Sequence, residues 1–127
     1  MKIGSFLQRR FDPAKLQKLN VFETDRFYCD VYCLLPGQVQ TIHAHEGSDK
    51  IYLVLEGAVV AQVAGVEREM IAGDGVLAES GEDHGLVNRS DAPAAVLVFM
   101  APRPGPKALA PGPETPAPGP GPKALAP

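Results

Sequence analysis

GQVQTIHAHEGSDKIYLVLEG, residues 37–57, is the stretch on which the fold turns. Its two halves, VQTIHAH and KIYLVLE, are short runs rich in β-favouring residues, parted by the turn residues Glu46-Gly47-Ser48. In an extended strand, residues two apart project from one side, so His43 and His45 form a pair while Ala44 between them points away. The same texture continues outward. From Val21 to Met100 the chain reads as VFET, RFYCDVYCLL, VQTIHAH, KIYLVLE, AVVAQVA, VEREMI, GVLAE, HGLVN and AAVLVFM, separated by Gly, Pro, Asp and Ser turns. Runs this short leave no room for crossover helices and a parallel sheet, so the expected fold is an all-β antiparallel sandwich or barrel.

Outside these runs two segments differ. Asp12-Pro13 ahead of AKLQKL has the form of an N-cap and first-turn proline, which predicts a short N-terminal helix with Leu16 and Leu19 on one side. Residues 102–127 hold ten of the thirteen prolines and repeat the octamer PGPKALAP at 104–111 and 120–127. Proline removes backbone donors and fixes φ, so this tail is expected to be disordered or extended, with residues 1–101 as the one folding domain. The tail reads as a spacer; docking to a proline-recognition groove is the alternative.

Composition narrows the function. With a formal charge of −3 and both signs interspersed, the chain has no basic stripe for a phosphate backbone, so nucleic acid is not an expected partner. No apolar run approaches the roughly 20 residues needed to cross a bilayer, which points away from membranes and toward a cytoplasmic protein. Cys29 and Cys33 lie four residues apart in one strand, about 13 Å, too far for the roughly 7 Å that a disulfide permits. They are expected to be buried thiols.

A second stretch, GDGVLAESGEDHGLVN at residues 73–88, carries the remaining histidine, His84. Residues 37–57 resemble the first motif of the cupin superfamily, with a glycine at Gly37, His-x-His at His43 and His45, and a closing glycine at Gly57. Residues 73–88 resemble the second, through Gly73, Gly81, His84 and Asn88. All three histidines of the chain fall on ligand positions of these motifs. The resemblance implies a cupin-type antiparallel jelly-roll β-barrel of six to eight strands in which His43, His45 and His84 hold one divalent ion, Fe, Mn, Zn or Ni. Imidazole suits each of these, so ligand type does not choose among them. It also implies that Gly37, Gly57, Gly73 and Gly81 serve turns, that Asn88 braces the end of the second motif, and that the protein is a homodimer, with Phe6, Phe11 and Phe22 available to cover an exposed face.

Two positions depart from the pattern. Lys50 stands where the motif has a glutamate ligand, and Glu79 where proline is usual. A protonated lysine about 5 Å from a divalent ion would be repelled by roughly 6–7 kcal/mol at an effective dielectric of about 20. Lys50 must therefore lose its proton, turn away, or be neutralised by Glu46, Asp49 or an anionic ligand. Two readings of it stand, a surface lysine paired with Asp49 and a residue that captures a substrate carboxylate or phosphate. Glu79 is read as facing solvent, with a pocket carboxylate as the alternative. Tyr28, Tyr32 and Tyr52 are read as core or rim residues, Tyr52 also as a pocket residue.

Two function classes follow. One is a three-histidine dioxygenase of the Fe(II) type acting on a small anionic molecule. The other is a non-catalytic domain that binds or senses a small molecule, with or without metal. An isomerase would need a base beside the metal, for which Glu79 is the one candidate.

Overall fold

The computed structural model describes residues 1–104, so the octamer-bearing tail from residue 105 onward lies outside the described residues. Nine strands occur among the described residues: β1 (Gln17–Glu23), β2 (Tyr28–Leu34), β3 (Val39–His43), β4 (Asp49–Glu56), β5 (Ala58–Val63), β6 (Val66–Ile71), β7 (Gly75–Ala78), β8 (His84–Val87) and β9 (Ala94–Ala101). They form two antiparallel sheets, one ordered β1-β2-β9-β4-β7 and the other β3-β8-β5-β6. Each of the nine apolar runs is represented by one strand. The barrel expected at six to eight strands has nine, because the N-terminal segment adds β1 as an edge.

That edge replaces the expected helix. No helix occurs among the described residues, and hence none is long and apolar enough to cross a membrane. The capping chemistry is present, since Asp12 Oδ1 accepts a hydrogen bond from Ala14 N at 2.7 Å, but it closes a local turn. Two interactions override the helical start. Gln17 to Glu23 pair with β2, which satisfies their backbone groups in a ladder. Leu16 packs on the core between the sheets while Leu19 packs on the opposite, outer face with Phe6 and Phe11. One helix face cannot serve both sides of a sheet.

The core lies between the sheets. Tyr32, Leu34, Tyr52, Val54, Val96 and Val98 from the five-stranded sheet meet Val59, Ala61, Met70 and Leu86 from the other. Alternation sets the opposite face of β2: Val31 and Cys33 are buried beneath the N-terminal segment instead, and Cys29 is buried on the same face. Both thiols are free.

Turn chemistry holds the sheets in register. Gly57 has φ +78°, and a Cβ there would stand 2.6 Å from the Pro93 carbonyl oxygen, so the β4–β5 turn admits no side chain. Gly37, Gly73 and Gly81 also have positive φ. Asn88 is fully buried; its Nδ2 donates to the Leu34 and Ala92 carbonyls, and its Oδ1 accepts from Ser90 N. One side chain thereby ties the ends of β2 and β8 to the turn before β9.

Candidate metal centre

The histidines come from three places. His43 ends β3, His45 follows it in the loop to β4, and His84 opens β8. His43 and His84 are cross-strand partners. The His45 loop is fastened to the turn before β8, since Gly81 N donates to His45 O at 2.9 Å and Gly47 N to Ser80 Oγ at 2.7 Å. The ring centroids of His43 lie 4.7 Å from His45 and 4.6 Å from His84, and one ligand atom from each residue falls within 4.8 Å of the others.

The unused nitrogens show which way the rings are set. His43 Nδ1 lies 2.8 Å from the Thr41 carbonyl and His84 Nδ1 3.0 Å from the Glu82 carbonyl, a contact in which Nδ1 carries the proton. That tautomer leaves Nε2 as a lone-pair donor, the arrangement metal-binding histidines use. His84 Nε2 is buried with no hydrogen-bond partner among the described residues. A buried orphan acceptor is costly, and a cation at the centre of the three rings would satisfy it. The residues present therefore fit a metal ion.

The protonation states agree. Desolvation, then the charges of His43 and Lys50, pull His45 down to about 4. Desolvation and the Lys50 charge take His84 to about 3, and His43 is lowered chiefly by burial. All three are neutral near pH 7, as ligation requires.

Lys50 is the unusual member. It is 1% exposed, which rules out a surface lysine paired with Asp49. In β4 the two residues point to opposite sides, and Asp49 Oδ1 instead accepts a hydrogen bond from Ser80 N at 2.9 Å. Lys50 Nζ lies 5.5 Å from the Tyr52 ring centroid and 5.9 Å from that of Tyr32, and has no ion pair among the described residues. Burial, reinforced by the Lys18 charge, draws its pKa down to about 7. Glu79 is exposed, its amide bonded to Glu82 Oε1. Tyr52 is fully buried, and its ring centroid is 6.1 Å from that of His84.

Three residues around Tyr32 were not singled out from sequence. Gln40 accepts a hydrogen bond from the Tyr52 hydroxyl and donates to Tyr32 Oη at 3.4 Å. Asp30, aligned with Tyr32 by strand alternation, has its pKa raised by burial while Asn20 Nδ2 donates to Oδ1 at 2.8 Å. Lys18 places its ammonium 5.1 Å from the Tyr32 centroid. Position two residues from Tyr32 was the available signal for Asp30; Lys18 was hidden by the helical reading of its segment.

Comparison with known proteins agrees with this architecture. Residues 30–100 match the family model described as a cupin domain. Over 81 residues the chain is 35% identical to the tetracenomycin polyketide synthase protein TcmJ of Streptomyces glaucescens, covering 64% of this chain and 50% of that protein. The chain thus spans about half the length of this curated relative. Among solved structures, TT1209 from Thermus thermophilus superposes with a TM-score of 0.79 at 45% identity, covering 82% of this chain and 100% of that one. An RmlC-like cupin protein from Desulfovibrio desulfuricans gives 0.71 at 26% identity, covering 80% and 97%. With the motif positions, the two-sheet architecture and the family match in agreement, the chain belongs to the cupin family.

Proposed function

We propose that His43, His45 and His84 hold one divalent ion, Fe, Mn, Zn or Ni, and that the site acts on a small anionic molecule in the manner of a three-histidine Fe(II)-type dioxygenase. The observation that carries this reading is the buried, unpartnered Nε2 of His84 beside two other neutral imidazoles. When bound, such an ion supplies Lewis acidity and open coordination positions. Three neutral ligands leave its positive charge uncompensated, and Lys50 at the usual glutamate position adds to it whenever protonated. An anionic ligand neutralises both, so the chain's own charges select for one. The hydrogen bonds from Nδ1 to the Thr41 and Glu82 carbonyls hold two of the rings in place.

A second reading, binding or sensing without turnover, is favoured by the exposure of Glu79, the one candidate base named from sequence. Metal analysis of the purified protein beside His84→Ala, followed by oxygen uptake with a panel of thiols, diketones and aromatic diols, separates the two. Stoichiometric iron with uptake supports the oxygenase, and metal without uptake supports the binding domain. Absence of metal from the parent protein overturns both metal readings.

We also propose a homodimer built on the outer face of the five-stranded sheet, in a cytoplasmic setting that suits the unbridged thiols. Ile51 and Leu77 are cross-strand partners on that face, 40% and 50% exposed. Phe6 and Phe11 cover its β1–β2 side from within the same chain. A monomer in size-exclusion chromatography with light scattering would remove this assembly.

A further inference from the structure

The edge strands β1 and β3 do not close against each other by a ladder. Between them opens a cleft of about 710 Å³, lined by Arg10, Lys15, Leu16, Lys18, Gln38 and Val39 among others. This volume falls in the range of small-molecule sites. Among the described residues, every charged side chain lining it is positive. Arg10, Lys15 and Lys18 have no ion pair among the described residues; Arg10 Nε donates only to the neutral Gln17 Oε1, at 3.3 Å. The nearby Asp12 carboxylate is turned onto Ala14 N. The floor is apolar, since Leu16 packs directly on the core between the sheets.

One residue of the cleft reaches the aromatic rings beside the histidine centre. Lys18 lines the cleft, yet its ammonium stands 5.1 Å from the Tyr32 ring centroid, the same buried ring that Lys50 approaches at 5.9 Å. Val39 at one end of β3 and His43 at the other are four residues apart, roughly 13 Å of extended chain.

We infer that this cleft is a second binding element for the ligand of the histidine centre, and that the ligand is an elongated molecule with an oxyanion, carboxylate or phosphate, at its outer end. That end docks on Arg10 and Lys15, the apolar middle lies over Leu16 and Val39, and the inner end passes Lys18 to reach His43, His45 and His84. The identity of the inner end rests on the metal reading above; the cleft and its charge do not.

The test uses the full chain, loaded with Zn(II) and separately metal-free, with decanedioate, decanoate and decyl phosphate as probes. In the zinc protein, decanedioate is expected to bind about tenfold tighter than decanoate, because only the diacid engages both ends. An Arg10→Ala/Lys15→Ala double variant, altered at two exposed side chains, should abolish that advantage while zinc stoichiometry is unchanged. In the metal-free protein, decanoate or decyl phosphate should shift the amide resonances of Leu16, Lys18 and Val39, and added salt should weaken the effect. The probe that loses more affinity in the double variant names the oxyanion. If parent and double variant bind every probe alike, or no probe moves these resonances, the cleft assignment is overturned. Failure to bind zinc removes the metal reading, and the metal-free titration still decides the cleft.

Discussion

His43 and His84 face each other across the β3–β8 ladder, and their ring centroids lie 4.6 Å apart. The pairing is irregular just before this contact, with a register shift between Gln40 and His43. Strict alternation would send those two residues to opposite faces, since they are three apart. The irregularity turns both inward, Gln40 onto the tyrosines and His43 onto His84, while Ile42 packs on the outer side with Val87.

Gly85 makes this possible. A Cβ there would stand 2.9 Å from Gln40 O, 3.0 Å from Ile42 Cγ1 and 3.1 Å from Ile42 Cα. Gly85→Ala is therefore expected to push β3 from β8, costing about 1–3 kcal/mol of stability and weakening metal binding at least several-fold. Urea denaturation and competitive metal titration measure the two effects. Unchanged metal affinity would show that the β3–β8 spacing does not set the site.

Lys50→Met should stabilise the metal-free protein by about 1–3 kcal/mol, because it removes a buried cation that has no ion-pair partner among the described residues. The pH dependence identifies the cause. Since the native pKa is about 7 against an ordinary 10.5, the unfolded chain holds the extra proton between these values. The parent's stability should climb with pH across that window, and the variant's should not. The same substitution should weaken binding of anionic ligands, measured by calorimetry.

The histidines govern the acid side. Their native pKa values lie below the ordinary 6.5, with His45 at about 4 and His84 at about 3. The unfolded chain takes up protons near 6.5 that the native protein refuses. The histidines' contribution to the stability of the metal-free protein is thus fully present above that pH and is lost as pH falls toward 4 and 3. His84→Gln should flatten part of this slope in urea midpoints measured across pH; an unchanged slope would place the acid sensitivity elsewhere.

Tyr52→Phe leaves Gln40 Oε1 buried without the hydroxyl that donates to it. A cost of about 1–3 kcal/mol is expected, and the added change Gln40→Leu should recover much of it by removing the stranded amide. A double variant no better than the sum of the singles would show that the two residues are not coupled.

Strand content was legible from residues alone, because short β-favouring runs with turn residues between them admit few other structures; each of the nine runs corresponds to a strand. The His-x-His pair and its partner in the second motif were legible as a pattern of spacings. The N-terminal half of the first strand, read as the end of a helix, was not. The helix signal at Asp12-Pro13 is local, whereas the pairing of Gln17–Glu23 with β2 depends on residues that come later in the chain.

Sequence by itself determined an antiparallel sandwich or barrel and its turns, which follow from periodicity and turn residues, and the candidacy of three imidazoles, which follows from the resemblance to the cupin motifs. Tertiary structure alone decided that Lys50 is buried over Tyr52 and Tyr32, that Gln40 and His43 share the interior, and that Lys18 opens toward a basic cleft. Lys50, Tyr52 and Val54 alternate with Ile51, Leu53 and Leu55, so both faces of β4 read as apolar apart from one lysine. Only the packing of the second sheet says which face is inside, because burial belongs to the pair of surfaces that meet and not to either strand alone.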